Sequence, residues 1–204
     1  MLKKIFHPET GLTPYLVAGL GNPGREYRET RHNIGFMFVD RLSSKLSIQI
    51  GKVQSRALVG TGQFSGSRLI LVKPQTYMNL SGQSIASLAR FYKVAADQIL
   101  VAHDDLDLPL GTLRIRPGGG SGGQKGVAST IEQLGTSTFA RMRIGIGRPP
   151  GQMDPADYVL KKFTEQEREL VEAVLDRAVQ AAQVFIEHDL DAAMNRYNGS
   201  QKED

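Results

Sequence analysis

Cysteine is missing from all 204 residues, which removes disulfides, thiolate nucleophiles and thiolate-held zinc. Histidine is scarce, and His7, His32, His103 and His188 share no i, i+4 or similar ligand spacing. Neither a metal nor a cofactor is therefore expected. No apolar run approaches the roughly 20 residues that cross a bilayer, and the N-terminus lacks the apolar core of a signal peptide. A membrane partner is not expected, and the cytoplasm is the expected location. Apart from one glycine-rich loop there is no repeat and no low-complexity segment.

The residues that are present suit an ordinary globular chain. With 40% apolar and 23% charged residues, 204 residues can bury a substantial single core. Met1 to Pro14 reads as a short tail, basic at Lys3 and Lys4. Residues 15–198 read as one domain and residues 199–204 as a polar tail. A net charge of +4 tilts the expected partner toward an anion, provided the charges cluster.

The stretch that organises the rest is Tyr15-Leu16-Val17-Ala18-Gly19-Leu20-Gly21-Asn22-Pro23-Gly24, continuing to Thr30-Arg31-His32-Asn33. Tyr15 to Leu20 has the apolar content of a buried strand. The glycines and Pro23 then predict a tight turn that projects Asn22, a side chain with both donor and acceptor. His32 sits directly before an amphipathic helix carrying Ile34, Phe38 and Leu42. Its side chain titrates near neutrality, which suits acid–base work. A helix-capping or core role is the plain alternative unless other polar groups converge on it. Gly19-x-Gly21-x-x-Gly24 also matches the dinucleotide fingerprint. That pattern needs a helix opening at its third glycine and an acid about 20 residues later. Here the helical pattern starts only after Asn33, and the nearest acid, Asp40, lies on the polar side of that helix.

Farther on, Val53–Thr61 and Arg68–Lys73 read as strands joined by Ser65-Gly66-Ser67. Ser84–Tyr92 reads as a helix and Ile99–Ala102 as a strand running into His103-Asp104-Asp105. Strands alternating with helices predict an α/β fold with a twisted, mostly parallel (mixed) sheet flanked by helices. Sites in such sheets form beyond the carboxyl ends of the strands. Asn22, Asn79 and Asp104 all follow a strand or its turn, which supplies the convergence His32 needs. Thr112–Arg116 alternates, placing Arg114 and Arg116 on one face, and Arg141–Ile146 does the same with Arg141 and Arg143. Each strand alone is a half-exposed edge with solvated charges; together they form a row of guanidinium groups suited to phosphates. Pro117–Gly126 between them is a glycine loop, either a close-approach ligand loop or a plain connector. Arg148–Gln152 reads as a surface loop or lid edge. Thr164-x-x-Glu167 is a capping box opening a helix with Leu170, Val171, Val174, Ala178 and Phe185 inward. A last turn or two follows from Asp189 to Tyr197.

Taken in order, these stretches resemble the bacterial-type peptidyl-tRNA hydrolases. The matching motifs are Gly19-Leu20-Gly21-Asn22-Pro23-Gly24 with Tyr27, Thr30-Arg31-His32-Asn33-x-Gly35, Lys73-Pro74-Gln75-Thr76-Tyr77-Met78-Asn79-Leu80-Ser81-Gly82, His103-Asp104-Asp105-Leu106-Asp107-Leu108-Pro109 and Arg143-Ile144-Gly145-Ile146-Gly147-Arg148-Pro149. The resemblance implies a metal-free monomer that cleaves the ester between a peptide and the 3′ ribose of tRNA. It implies His32 as general base, Asp104 as the acid that orients it, and Asn22, Met78 and Asn79 against the substrate end. Tyr27 and Tyr77 would contact the tRNA end, and Arg114, Arg116, Arg141 and Arg143 the acceptor-stem phosphates. Where the family usually has Gly-Gly-His-Asn-Gly, this chain has Gly122-Gly123-Gln124-Lys125-Gly126. Lys125 then stands at a substrate-binding position but cannot accept a hydrogen bond. Two rivals stay open: a non-catalytic RNA-binding relative, favoured by the altered loop, and a dinucleotide-dependent oxidoreductase.

Overall fold

The sheet grows outward from β1 (Pro14–Gly19), whose Leu16, Val17 and Ala18 are fully buried. The structure is a computed structural model that describes residues 11–199. Expectations about Lys3, Lys4, His7 and residues 200–204 lie outside the described residues. From β1 the chain passes through α1 (Ile34–Leu46) to a hairpin pair and β4 (Ser67–Pro74), which lies parallel to β1 on one side. It then returns through α2 (Ser81–Tyr92) to β5 (Ile99–Asp105), parallel to β1 on the other side. The direction of winding therefore reverses at β1. A crevice opens at such a point because the two following connections leave in opposite directions.

Val53–Thr61, expected as one strand, is two. β2 (Lys52–Gln54) pairs antiparallel with β3 (Ala57–Phe64) across Ser55 and Arg56. Both turn residues are left-handed, with φ of 50° and 55°. Primed hairpin turns demand that conformation, and neither residue is a usual marker for it. On the far side β6 (Leu113–Arg116) runs antiparallel and β7 (Ala140–Gly145) parallel, completing the seven-stranded order β2-β3-β4-β1-β5-β7-β6. Asn198 seals the open edge of β6, accepting from the Ile115 N–H and donating to its carbonyl.

Helices cover both faces, as the alternating pattern implies. α1 packs with α5 (Arg168–Glu187) and α6 (Leu190–Tyr197) over Val17, Leu71, Ala102, Met142 and Ile144. α2 and α3 (Lys125–Leu134) pack over Leu16, Ile70, Val101 and Phe139. α3 and the short α4 (Pro155–Val159) are additions to the elements read from sequence. α3 hides because glycines precede it and its cap is Gln124, outside the usual Ser, Thr, Asp and Asn set. The capping box at Thr164 and Glu167 forms as expected, on a short 3₁₀ turn just ahead of α5.

Candidate active site

The glycines after β1 act by close approach. An added Cβ at Gly19 would lie 2.0 Å from the Gly35 carbonyl oxygen, and one at Gly21 would strike the Phe36 ring. Of the three fingerprint glycines only Gly24 adopts positive φ. Their absent side chains let α1 begin directly against β1 and β5. Gly24 leads into a 3₁₀ turn, Arg25–Tyr27, while α1 starts ten residues later, so the helix that a dinucleotide pyrophosphate requires is not at the third glycine.

The turn fixes Asn22 by three bonds. Asn33 Oδ1 accepts from the Asn22 N–H at 2.8 Å, and Asn33 Nδ2 donates to the Asn22 carbonyl at 2.9 Å. The Asn22 side-chain oxygen accepts from the Met78 N–H at 2.9 Å. With its oxygen committed, Asn22 presents Nδ2, which has no partner among the described residues, as a donor. Asn33 is fully buried and its role has no sequence signature beyond its place beside His32.

His32 and Asp104 meet across 72 residues of sequence, with Nδ1 2.9 Å from Oδ2. Asp104, at the carboxyl end of β5, is almost fully buried, whereas the His32 side chain is 15% exposed. A carboxylate only accepts, so Nδ1 carries the hydrogen, and in a neutral ring Nε2 then keeps its lone pair. The other carboxylate oxygen, Oδ1, accepts from Gln124 Nε2 at 3.0 Å.

These groups line a cleft of about 760 Å³ formed by Asn22, His32, Tyr77, Met78, Asn79, Asp104, the glycine loop and α4. Tyr77 and Asn79 are exposed at its rim, Met78 is buried in its wall, and Lys125 projects from the first turn of α3. Tyr27 is half-buried and is not part of the lining. Asp105 is bound by Arg143 Nε at 2.6 Å, and Asp107 pairs with Arg148. His103 is buried; its Nδ1 donates to the Asp104 carbonyl, while Nε2 has no partner among the described residues. Desolvation pushes its imidazole below the ordinary range, against the pull of that carbonyl.

The four arginines do share one sheet face, with Arg114 opposite Arg143 and Arg116 opposite Arg141. Their surroundings differ from an open row. Arg141 is 4% exposed, and its guanidinium donates to the carbonyls of Gly119, Gly120 and Ser137. Desolvation lowers its pKa, with Arg143 adding repulsion. Arg114 donates to the Asn198 carbonyl, Arg143 is tied to Asp105, and Arg116 alone is exposed without a partner among the described residues. Alternation in a strand reports the face a side chain takes, but the glycine loop that covers part of that face is a tertiary fact.

A second brace was also absent from the sequence reading. Arg31 lies between the rings of Tyr158 and Phe163, at 4.4 and 4.8 Å from their centroids, and pairs with Glu167 at 2.8 Å. It ties the His32 turn to α4 and to the start of α5. Burial works against the Glu167 carboxylate, but bonds from Arg31 and Thr164 outweigh it and hold its pKa below the usual value.

The cleft lies at the winding reversal of an α/β sheet, with the His32–Asp104 pair in its lining. Residues 16–204 match the sequence profile of the family described as peptidyl-tRNA hydrolase. The chain belongs to that family. A peptidyl-tRNA hydrolase of Moorella thermoacetica is 52% identical over 184 residues, covering 90% of this chain and 97% of the relative. Another from Chloroflexus aggregans is 49% identical over 185 residues, covering 90% and 98%. The crystal structure of peptidyl-tRNA hydrolase from Acinetobacter baumannii superposes with a TM-score of 0.87 at 36% identity, covering 93% of this chain and 97% of that one. A methylthioadenosine nucleosidase of Arabidopsis thaliana, 10% identical with a TM-score of 0.52, shares the fold alone. Among the described residues no helix is long and apolar enough to cross a membrane.

Proposed function

We propose that this chain cleaves the ester linking a peptide to the 3′ ribose of tRNA, with His32 as general base and Asp104 holding it. His32 Nε2 takes a proton from water as the water oxygen attacks the ester carbonyl carbon. The carbonyl becomes a tetrahedral oxyanion, for which the free Nδ2 of Asn22 is a suitable donor. Collapse breaks the bond to the ribose 3′ oxygen, and the imidazolium returns the proton to that leaving group. Asp104 selects the tautomer and stabilises the imidazolium without itself taking the proton. An ester is reactive enough that a positioned water suffices without a covalent nucleophile. Asn79, Tyr77, Met78 and Lys125 line the rest of the substrate cleft, and tRNA phosphates are held chiefly through Arg116, with Arg114 and Arg143 beside it. The protein acts as a monomer without metal, in the cytoplasm.

The observation that carries this reading is the 2.9 Å contact between His32 Nδ1 and Asp104 Oδ2, with both residues lining the cleft. Incubation with an N-blocked aminoacyl-tRNA tests it. Wild type is expected to release tRNA. His32→Ala should lose at least about 100-fold in kcat, the usual range for a general base, while binding tRNA nearly as well. Binding without ester cleavage by the wild type would favour the RNA-binding alternative. Near-normal turnover by His32→Ala would remove this residue from the mechanism.

A further inference from the structure

Gln124 occupies the glycine-loop position where the chain departs from its family's usual histidine. We infer that it is a positioning residue for the proposed catalysis, holding Asp104 so that one oxygen only faces His32. This rests on the reading of His32 and Asp104 given above, and it adds the group that locks the pair.

The orientation of the Gln124 amide follows from its neighbours. Its Oε1 accepts from the N–H groups of Gly126 at 2.6 Å and Val127 at 2.9 Å, the first free donors of α3. Only an oxygen can accept there, so the nitrogen must point the other way. Nε2 then reaches Asp104 Oδ1 at 3.0 Å and the Met78 sulfur at 3.3 Å. The amide is thus gripped at both ends. A carboxylate on a short side chain can still rotate about its last torsion, which in Asp is broad. A donor on Oδ1 removes that freedom and leaves Oδ2 for the imidazole. Because the Gln124 amide does not titrate in the working range, it remains a donor whatever the protonation of its neighbours.

The same bonds connect three parts of the site. Met78 bonds the Asn22 side chain through its backbone N–H and receives Gln124 through its sulfur. Gly126 leaves the room for this: a Cβ there would lie 2.5 Å from the Met78 sulfur and 2.8 Å from Leu20. Displacement of the α3 terminus would therefore move the clamp on Asp104 together with the wall that holds Asn22.

A mere helix cap and a clamp respond differently to isosteric change. Gln124→Glu keeps an acceptor for the α3 N–H groups and even adds favourable charge at a helix N-terminus. It also sets a second acceptor against Asp104 Oδ1. The other ionisable or charged groups around the pair stay the same: Asp105 held by Arg143, Asp107 held by Arg148, Asp154 beside α4, Lys125 on α3 and the buried His103.

If Gln124 is a clamp, Gln124→Glu should lower kcat on blocked aminoacyl-tRNA about tenfold or more, the size of one lost charge-assisted bond, at a temperature where thermal unfolding shows the variant still folded. KM should stay within about twofold, since an interaction lost only in the transition state lowers kcat and kcat/KM together. The extra negative charge should also move the acid limb of the kcat/KM profile to higher pH. Gln124→His, with one ring donor and one ring acceptor, should restore kcat to within about threefold. Independently of turnover, the hydrogen-bonded Nδ1 proton of His32, assigned by its loss in His32→Ala, should shift upfield in the proton NMR spectrum of Gln124→Glu. Unchanged kcat, acid limb and NMR signal in that variant would reduce Gln124 to a helix cap and overturn the inference. Wild type inactive on blocked aminoacyl-tRNA would sink the proposed function, yet the NMR shift would still show whether Gln124 orders the pair.

Discussion

Asn33 makes two bonds to the backbone of Asn22 without touching the cleft. Asn33→Asp is nearly isosteric, but it replaces the Nδ2 donor with an oxygen facing the Asn22 carbonyl. That substitution should cost about 1–3 kcal/mol in unfolding free energy, the penalty of an unpaired buried polar group. It should also lower kcat, because the Asn22 amide loses its fixed aim. Urea unfolding and the blocked aminoacyl-tRNA assay check the two effects, and full activity at reduced stability would confine Asn33 to the scaffold. His103 adds a pH effect. Burial disfavours its protonated form, so near neutrality the folded ring is uncharged. As pH falls through about 6.5, the unfolded chain takes up a proton that the folded chain refuses. The stability from this group is complete above that pH and is lost on acidification toward the depressed folded value. Unfolding free energy should therefore drop between about pH 7 and pH 5, and His103→Gln should flatten that drop; an unaltered slope would count against it. At this scale the convergence of Asn22 and Asp104 was legible because both stand at strand ends, and that of His32 because it directly precedes a helix. Asn33 and Gln124 were not, because an amide shows its partners only after folding.

Elements were legible where hydrophobic period and length agree. α1, α2 and α5 carry apolar residues at helical spacing, and β1, β4 and β5 are continuous apolar runs. α4 has five residues, too few for a period to register, and α3 follows a glycine run that reads as a break. A close fit between elements joins α1 to β1 and β5. A Cβ at Gly35 would lie 2.5 Å from the Ala102 carbonyl oxygen and from the Leu20 nitrogen, both backbone atoms. Neither can rotate aside, so α1 itself must move. Gly35→Ala should then cost about 2 kcal/mol or more in stability, at the upper part of the range for overpacking. Because His32 sits one turn before Gly35 and Asp104 sits on β5, the same shift should separate the pair. The expected result is a lower thermal midpoint together with a loss of kcat larger than the unfolded fraction explains. A variant with wild-type stability and activity would mean that the helix can lift from the sheet without moving His32.

For the whole molecule, the excess of four positive charges pointed to an anionic partner, but charge counting treats all arginines alike. The fold does not. Arg141 is enclosed by the glycine-loop carbonyls it binds, and Arg31 by two aromatic rings, so neither offers a free edge to a phosphate. Arg116 is exposed at the end of β6 and has no partner among the described residues. A cation that contacts one phosphate displaces about one counterion, so its removal should lower the slope of log affinity against log salt by about one. Arg116→Ala should therefore weaken tRNA binding most at low salt and flatten its salt dependence, with kcat at saturating substrate unchanged. Arg141→Ala should behave in the opposite way. It leaves the carbonyls of Gly119 and Gly120 without the donor they share, so it should loosen the glycine loop and lower the thermal midpoint while barely changing the salt slope. Filter binding across a salt series, paired with thermal unfolding, separates the two variants. A flattened slope for Arg141→Ala, or an unaltered one for Arg116→Ala, would show that phosphates reach the sheet by a different face, and the guanidinium row would then be a structural brace rather than a grip on RNA.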